Sequence, residues 1–125
     1  MNTIGSVDIP VEIWLRGNNH ATTDMIAPVP REPDAWSDAD IVAVLEGMLR
    51  ALERAKNPEA AVDRPVALRG FSWIVSPFES GGVVIAIELT LGAVVAGPFN
   101  VPERALSASI DRVIRNQREV TPTVH

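Results

Sequence analysis

Few residues of this chain combine the type and the spacing that catalysis needs. His20 and Asp24 lie four residues apart and could provide a base or part of a metal site, but the only other histidine is His125. A two-histidine metal site would require the C-terminal end to fold back onto this segment. Because isolated short motifs of this kind are usually accidental, a polar loop position is the favoured interpretation of His20.

Two glutamates offer a second arrangement. Glu12 and Glu88 could act as the paired carboxylates of a glycosidase-type site. Arg16 and Arg69 are expected on the same face of the protein, however, and their presence favours salt-bridged surface residues instead.

Three aspartates, Asp34, Asp38 and Asp40, cluster where a helix is predicted to begin. Carboxylates complement the helix dipole at that position, and a divalent cation site is the weaker alternative. We therefore predict no catalytic residue, no metal and no cofactor, and a function other than catalysis.

Composition narrows the class of protein. The chain has 125 residues, 46% of them hydrophobic and 22% charged, which predicts one globular domain over residues 1–125. It has no cysteine, which excludes disulfides and thiolate sites and fits a reducing compartment. The N-terminal residues show no signal-peptide pattern, so a cytoplasmic location is expected. The net charge of −5 disfavours nucleic-acid binding. The arginine-rich basic residues are typical of a GC-rich bacterial or phage genome.

Three segments alternate with the period of two that is typical of β-strands: Val7–Arg16, Val66–Val75 and Val83–Leu91. Successive side chains of a strand point to opposite faces, so the alternation predicts a sheet with one face in the core. Gly81-Gly82 predicts a hairpin turn between the second and third segments.

The third segment opens an apolar run, Val83–Phe99, that is interrupted by Glu88 and Thr90. A membrane helix needs roughly 20 apolar residues with few charges, and this run is shorter. A buried strand bent at Gly92 is therefore favoured. The alternative is that Gly92 ends one strand and Ala93–Ala96 form another.

Two helices are signalled by their caps. Ser37 begins a pattern that resembles a capping box with Asp40, and Asn57-Pro58 ends this helix. The second helix is predicted to begin at Asn100, with Glu103 as the reciprocal cap. Its four arginines could hold an anion, although a solvated outer face is favoured. They are Arg104, Arg112, Arg115 and Arg118.

These elements predict an α+β fold with a mainly antiparallel sheet of three to four strands and two helices on one face, in the order β-α-β-β-α. If Glu119–Val124 form a short final strand, the order becomes ferredoxin-like. Residues 17–36 are expected to form a long loop. The alternative to a final strand is that residues 117–125 form a flexible tail.

The strand alternation also predicts a contact surface on the outer face of the sheet. We expect an aromatic centre surrounded by charged residues there, a composition that is typical of protein–protein interfaces. The predicted partner-binding residues are Trp14, Arg16, Arg69, Phe71, Trp73 and Glu88. The alternative is that the 17–36 loop covers these aromatic side chains.

The favoured function is a non-catalytic protein–protein interaction protein: an adaptor, an inhibitor, a chaperone or an assembly component. It would act through the aromatic sheet face or through an exposed edge of the Val83–Phe99 segment, and it is expected to bind another protein, itself or both. The alternative is a small-molecule binding domain that holds its ligand between the sheet and the 17–36 loop. No membrane association is expected.

Overall fold

The computed structural model describes residues 8–59 and 67–120, with side chains described up to residue 116. It contains a five-stranded sheet and two α-helices, in the order β-β-α-β-β-β-α. The strands are β1 (Ile9–Leu15), β2 (Thr22–Ile26), β3 (Ser72–Pro77), β4 (Val83–Leu89) and β5 (Gly92–Phe99), and the helices are α1 (Asp38–Lys56) and α2 (Glu103–Val120). The spatial order is β2-β1-β5-β4-β3, and each neighbouring pair is antiparallel. The predicted α+β class is confirmed, with five strands rather than three or four.

Both helices pack on the same face of the sheet, here called the inner face. The predicted alternation of β1 and β4 is confirmed, because the odd-numbered residues of both strands point into the core. The buried side chains of the three central strands include Ile9, Val11, Ile13, Ile85, Ile87, Val94 and Ala96. Aliphatic side chains from α1 and α2, such as Leu45, Leu52 and Ile110, cover them. This single apolar layer between sheet and helices is the core of the fold.

The apolar run Val83–Phe99 forms two strands rather than one bent strand. β4 and β5 make a tight hairpin in which Leu89 pairs with Gly92, so the alternative of two strands is confirmed. Gly92 begins β5 rather than ending β4, and β5 runs to Phe99 rather than to Ala96. The turn predicted at Gly81-Gly82 is confirmed as well, since the Phe78 amide donates to the Gly82 carbonyl. None of the helices in the described part of the chain is long and apolar enough to cross a bilayer.

The prediction of a long loop over residues 17–36 is wrong. Thr22–Ile26 pair with β1 in a second antiparallel hairpin, and Pro33–Ala35 form a short 3₁₀-helix. Trp36 then packs edge-on against Phe99, with 5.0 Å between ring centroids. Since Phe99 is buried, the end of this segment lies on the helix side of the sheet and does not cover the outer face.

The start of α1 is confirmed in detail. The Ser37 side chain accepts a hydrogen bond from the Asp40 amide, and Asp40 accepts one from the Ser37 amide, which completes a capping box. The helix reaches Lys56 and ends at the predicted Asn57.

The start of α2 differs from the prediction. The helix begins at Glu103 rather than at Asn100, because β5 continues to Phe99 and the first helical hydrogen bond runs from the Leu106 amide to the Pro102 carbonyl. Glu119 and Val120 belong to this helix and not to a strand, and residues 121–125 lie outside the described residues. The predicted ferredoxin-like order is therefore not found in the described part of the chain.

Gly92 is a point of close backbone approach between β1 and β5. Its φ is +152°, and a Cβ atom placed on it would lie 2.1 Å from the Trp14 carbonyl oxygen. No side chain fits there, because real Cβ atoms do not approach another atom that closely. Gly17 also has a positive φ, of +92°, but a Cβ atom there would meet nothing within 4 Å.

We expect Gly92→Ala to lower the free energy of unfolding by at least about 3 kcal/mol, because it combines backbone strain with a displaced strand pair. Gly17→Ala, the matched control, should cost only about 1 kcal/mol for the φ angle alone. Urea denaturation followed by circular dichroism measures both. Equal losses in the two variants would show that the contact between Gly92 and β1 does not constrain the sheet.

Candidate functional site on the outer sheet face

The outer face is the side of the sheet opposite the helices. The register places two rows of side chains across it. One row contains Thr23, Glu12, Val95, Ala86 and Ile74, and the other contains Trp14, Ala93, Glu88 and Ser72. Met25 lies beside Pro10, next to the first row.

Large apolar side chains stand free on this face. Trp14 is 44% exposed, Met25 54% and Ile74 58%. Between them, Ala86, Ala93 and Val95 are half-buried by their neighbours in the sheet. A contiguous exposed apolar surface on a small domain marks a contact site more often than an accident of composition does.

A hollow of about 180 Å³ lies on the half of this face formed by β3 and β4. It exists because small residues occupy the centre of the strands while Ile74 rises beside them. Its lining comprises Ser72, Trp73, Ile74, Ala86, Ile87, Glu88 and Ala93. The hollow is shallow and mainly apolar, which suits one large side chain of a partner.

The predicted outward orientation of Trp73 is wrong. Trp73 pairs with Ile87, whose side chain is fully buried, so both point to the inner face. Phe71 and Trp73 are half-buried and pack against the core. Ile74 takes the outward position instead, because Ser72 pairs with the exposed Glu88.

The remaining predicted residues lie at one end of the outer face. Arg16 follows Trp14, and its Nε donates a hydrogen bond of 2.8 Å to the Thr90 carbonyl. Arg16, Phe71 and Glu88 line a wide depression of about 520 Å³ together with Gly70, Ser72, Leu89 and Thr90. Arg69 precedes Gly70 and is exposed. The structure therefore brings Arg16 and Glu88 together near Trp14. Phe71, which packs against the core, lines the same depression.

Sequence reasoning missed Met25 and Ile74. Met25 was assigned to a loop, and only its pairing with Pro10 places it on the outer face. The predicted outward position of Trp73 implies that Ile74, its neighbour in the strand, points into the core. Thr22–Ile26 show no regular alternation of apolar and polar residues, so the sequence carries no clear signal for β2.

The candidate catalytic residues do not form a site. Glu12 and Glu88 are both exposed and are separated by β5, which puts their Cα atoms about 12 Å apart in a regular sheet. His20 is exposed in the turn before β2. Within the described residues, no group of three or more His, Asp or Glu side chains could hold a metal ion.

The clustered aspartates have structural partners. Asp40 caps α1 and lies 3.5 Å from the Arg31 guanidinium. Asp38 accepts a 2.7 Å hydrogen bond from Arg112, which links the start of α1 to α2. That hydrogen bond lowers the pKa of Asp38 below its ordinary value and raises the pKa of Arg112.

These contacts also account for two of the four arginines of α2. Arg112 is bound to Asp38, and Arg115 pairs with Asp111 one turn away. Arg104 is exposed, and the side chain of Arg118 lies outside the described residues. The favoured interpretation of a solvated face is supported for Arg112 and Arg115.

The outer edge of β2 is covered by a side chain. The Met25 amide donates a 2.7 Å hydrogen bond to the Asp24 carboxylate, and Arg54 of α1 holds that carboxylate at 2.9 Å. An edge amide that is occupied in this way cannot join an added strand. β4 and β5 are interior strands, so the predicted contact through an edge of Val83–Phe99 is wrong.

Partial burial raises the pKa of Asp24, but the hydrogen bond from Met25 and the ion pair with Arg54 outweigh it, and the net pKa lies below the ordinary value. A carboxylate of this kind stabilises the fold above its unfolded pKa of about 3.9, and the stabilisation is lost as the pH falls through the folded pKa.

The chain matches no protein-family model, no curated protein and no solved structure.

We expect Asp24→Asn to lower the free energy of unfolding at pH 7 by less than about 1 kcal/mol, since the ion pair is partly exposed. The difference from the wild type should shrink as the pH falls from 5 to 3, when Asp24 itself becomes protonated. Urea denaturation across this pH range measures it, with Glu79→Gln in the exposed β3–β4 turn as the control. A difference that stays constant with pH would contradict the role of the Asp24 carboxylate.

Proposed function

We propose that this protein is a non-catalytic interaction protein whose outer sheet face is its protein-binding surface. The observation that carries the proposal is that Trp14, Met25 and Ile74 stand exposed on a sheet whose other face is covered by helices. Burial of apolar area supplies about 25 cal/mol per Å², so such a face gains most from a second protein layer.

The face favours a protein over a small molecule. Its apolar residues extend across all five strands, and its apolar hollow of about 180 Å³ is smaller than the roughly 300–1,000 Å³ of ordinary ligand pockets. The depression of about 520 Å³ at one end of the face reaches that size, but it is wide and open rather than an enclosed cleft. The alternative of a ligand held between the sheet and residues 17–36 lacks support, because Thr22–Ile26 lie in the sheet as β2.

The face also favours binding over catalysis. Its charged groups, Glu12, Arg16 and Glu88, are exposed and lie among the apolar residues. A mixture of exposed apolar and charged side chains is compatible with a protein interface. The same surface serves self-association or the binding of another protein, and the Asp24 carboxylate on the Met25 amide disfavours strand addition at β2.

We expect Trp14→Ala or Ile74→Ala to weaken association at least tenfold, which corresponds to about 1.4 kcal/mol. Light scattering over a dilution series measures the molecular mass and yields the dissociation constant. The matched control is Phe78→Ala, because Phe78 is 41% exposed but lies in the β3–β4 turn.

Urea denaturation of each variant separates a loss of association from a loss of folding. A wild-type chain that stays monomeric at all concentrations would contradict self-association. Equal effects of Phe78→Ala and the two face variants would contradict the assignment of the contact to the outer face.

A further inference from the structure

β5 divides the outer face into two halves. β1 and β4 flank it at equal distances, and β2 and β3 lie beyond them. Trp14 of β1 and Glu88 of β4 both pair with Ala93 of β5. Trp14 and Glu88 are therefore level with each other along the strand direction, on opposite sides of β5.

The two halves have complementary shapes. The β1 half presents a projecting indole, since Trp14 is 44% exposed. The β4 half presents the hollow of about 180 Å³ that Ala86, Ala93 and Glu88 help to line. A projection and a hollow at mirrored positions are what a two-fold interface requires, because each contact in such an interface occurs twice.

From this complementarity, and resting on the proposed function, we infer that the partner of the outer face is a second copy of the chain, packed face to face about a two-fold axis parallel to β5. The axis exchanges the two halves of the face. Trp14 of each copy then sits over the hollow of the other, and Val95 lies near its own symmetry mate.

The polar side chains agree with this arrangement. The exchange places Glu12 over Ala86 of the second copy, so that no carboxylate lies directly over another. Arg16, two residues beyond Trp14 and just after the end of β1, comes near Glu88 of the second copy. Opposite charges at the rim favour the same register, although exposed pairs of this type add little affinity.

The available area fits a weak dimer. Five strands about 4.8 Å apart and about 20 Å long give a face of roughly 500 Å² per copy. Two copies would bury roughly 1,000 Å², which is near the lower limit for specific interfaces. We therefore expect a dimer that dissociates on dilution in the micromolar range.

The first test fills the hollow. Ala86→Leu adds apolar area to the face, so an association that depended only on non-specific hydrophobic contact would become stronger. If Trp14 of the second copy occupies the hollow, Ala86→Leu instead raises the dissociation constant at least tenfold. Tighter association of Ala86→Leu would overturn the inference, and Ala108→Leu on the exposed surface of α2 is the control.

The second test locates the axis and uses the absence of cysteine from the chain. In facing sheets about 10 Å apart, residues 93 of the two copies lie about 10 Å from each other, while residues 74 lie about 21 Å apart. A short bismaleimide should therefore join two Ala93→Cys chains and leave two Ile74→Cys chains unjoined. A mixture of Thr23→Cys and Ile74→Cys should give the mixed product, because β2 of one copy lies over β3 of the other.

The outcomes separate this inference from the proposed function. If Trp14→Ala and Ile74→Ala weaken association but Ile74→Cys joins to itself and Ala93→Cys does not, the face is the interface and the two-fold parallel to β5 is wrong. If the wild type is a monomer, the second copy is excluded as the partner. If the dimer persists unchanged in the Trp14→Ala and Ile74→Ala variants, both the inference and the proposed function fail.

Discussion

The pairing of β1 with β5 joins two separate antiparallel units, the β1–β2 hairpin and the β3–β4–β5 meander, into one sheet. It depends on the close approach of Gly92 to the Trp14 carbonyl, where no side chain has room. The same contact sets the register that puts Trp14 beside Ala93 and Glu88. Both the continuous core under the helices and the continuous outer face follow from this one junction.

The sheet carries large apolar side chains on both faces, yet in the described part of the chain only the inner face is covered by helices. On the inner face, α1 and α2 bury Ile13, Ile87 and Val94 almost completely. On the outer face, alanines and Val95 lie between exposed Trp14 and Ile74, with glutamates near them. Two layers are sufficient for a stable domain of this size, so the outer face is not needed for folding alone. This composition is the basis of the proposed binding function.

The β2 edge of the sheet is protected by a charged side chain, whereas the outer face is exposed. At β2 the Asp24 carboxylate occupies the Met25 amide and is held by Arg54. Charged side chains at an edge discourage the addition of another strand. Protection at β2 therefore disfavours strand addition at that edge.

Sequence alone determined the elements whose signals are local. The alternation of β1 and β4, the capping box of Ser37 and Asp40, and the Gly81-Gly82 turn were all predictable, because each depends on neighbouring residues. The position of Trp14 on the outer face followed from the same alternation. Tertiary structure decided what depends on distant partners. In β3 both faces carry apolar residues, so only pairing with β4 could show that Ile74 points outward and Trp73 inward. Thr22–Ile26 are largely polar, and they form a strand because β1 offers them hydrogen bonds. An alternation pattern shows that a strand has two faces, but the packing of the helices decides which face is buried.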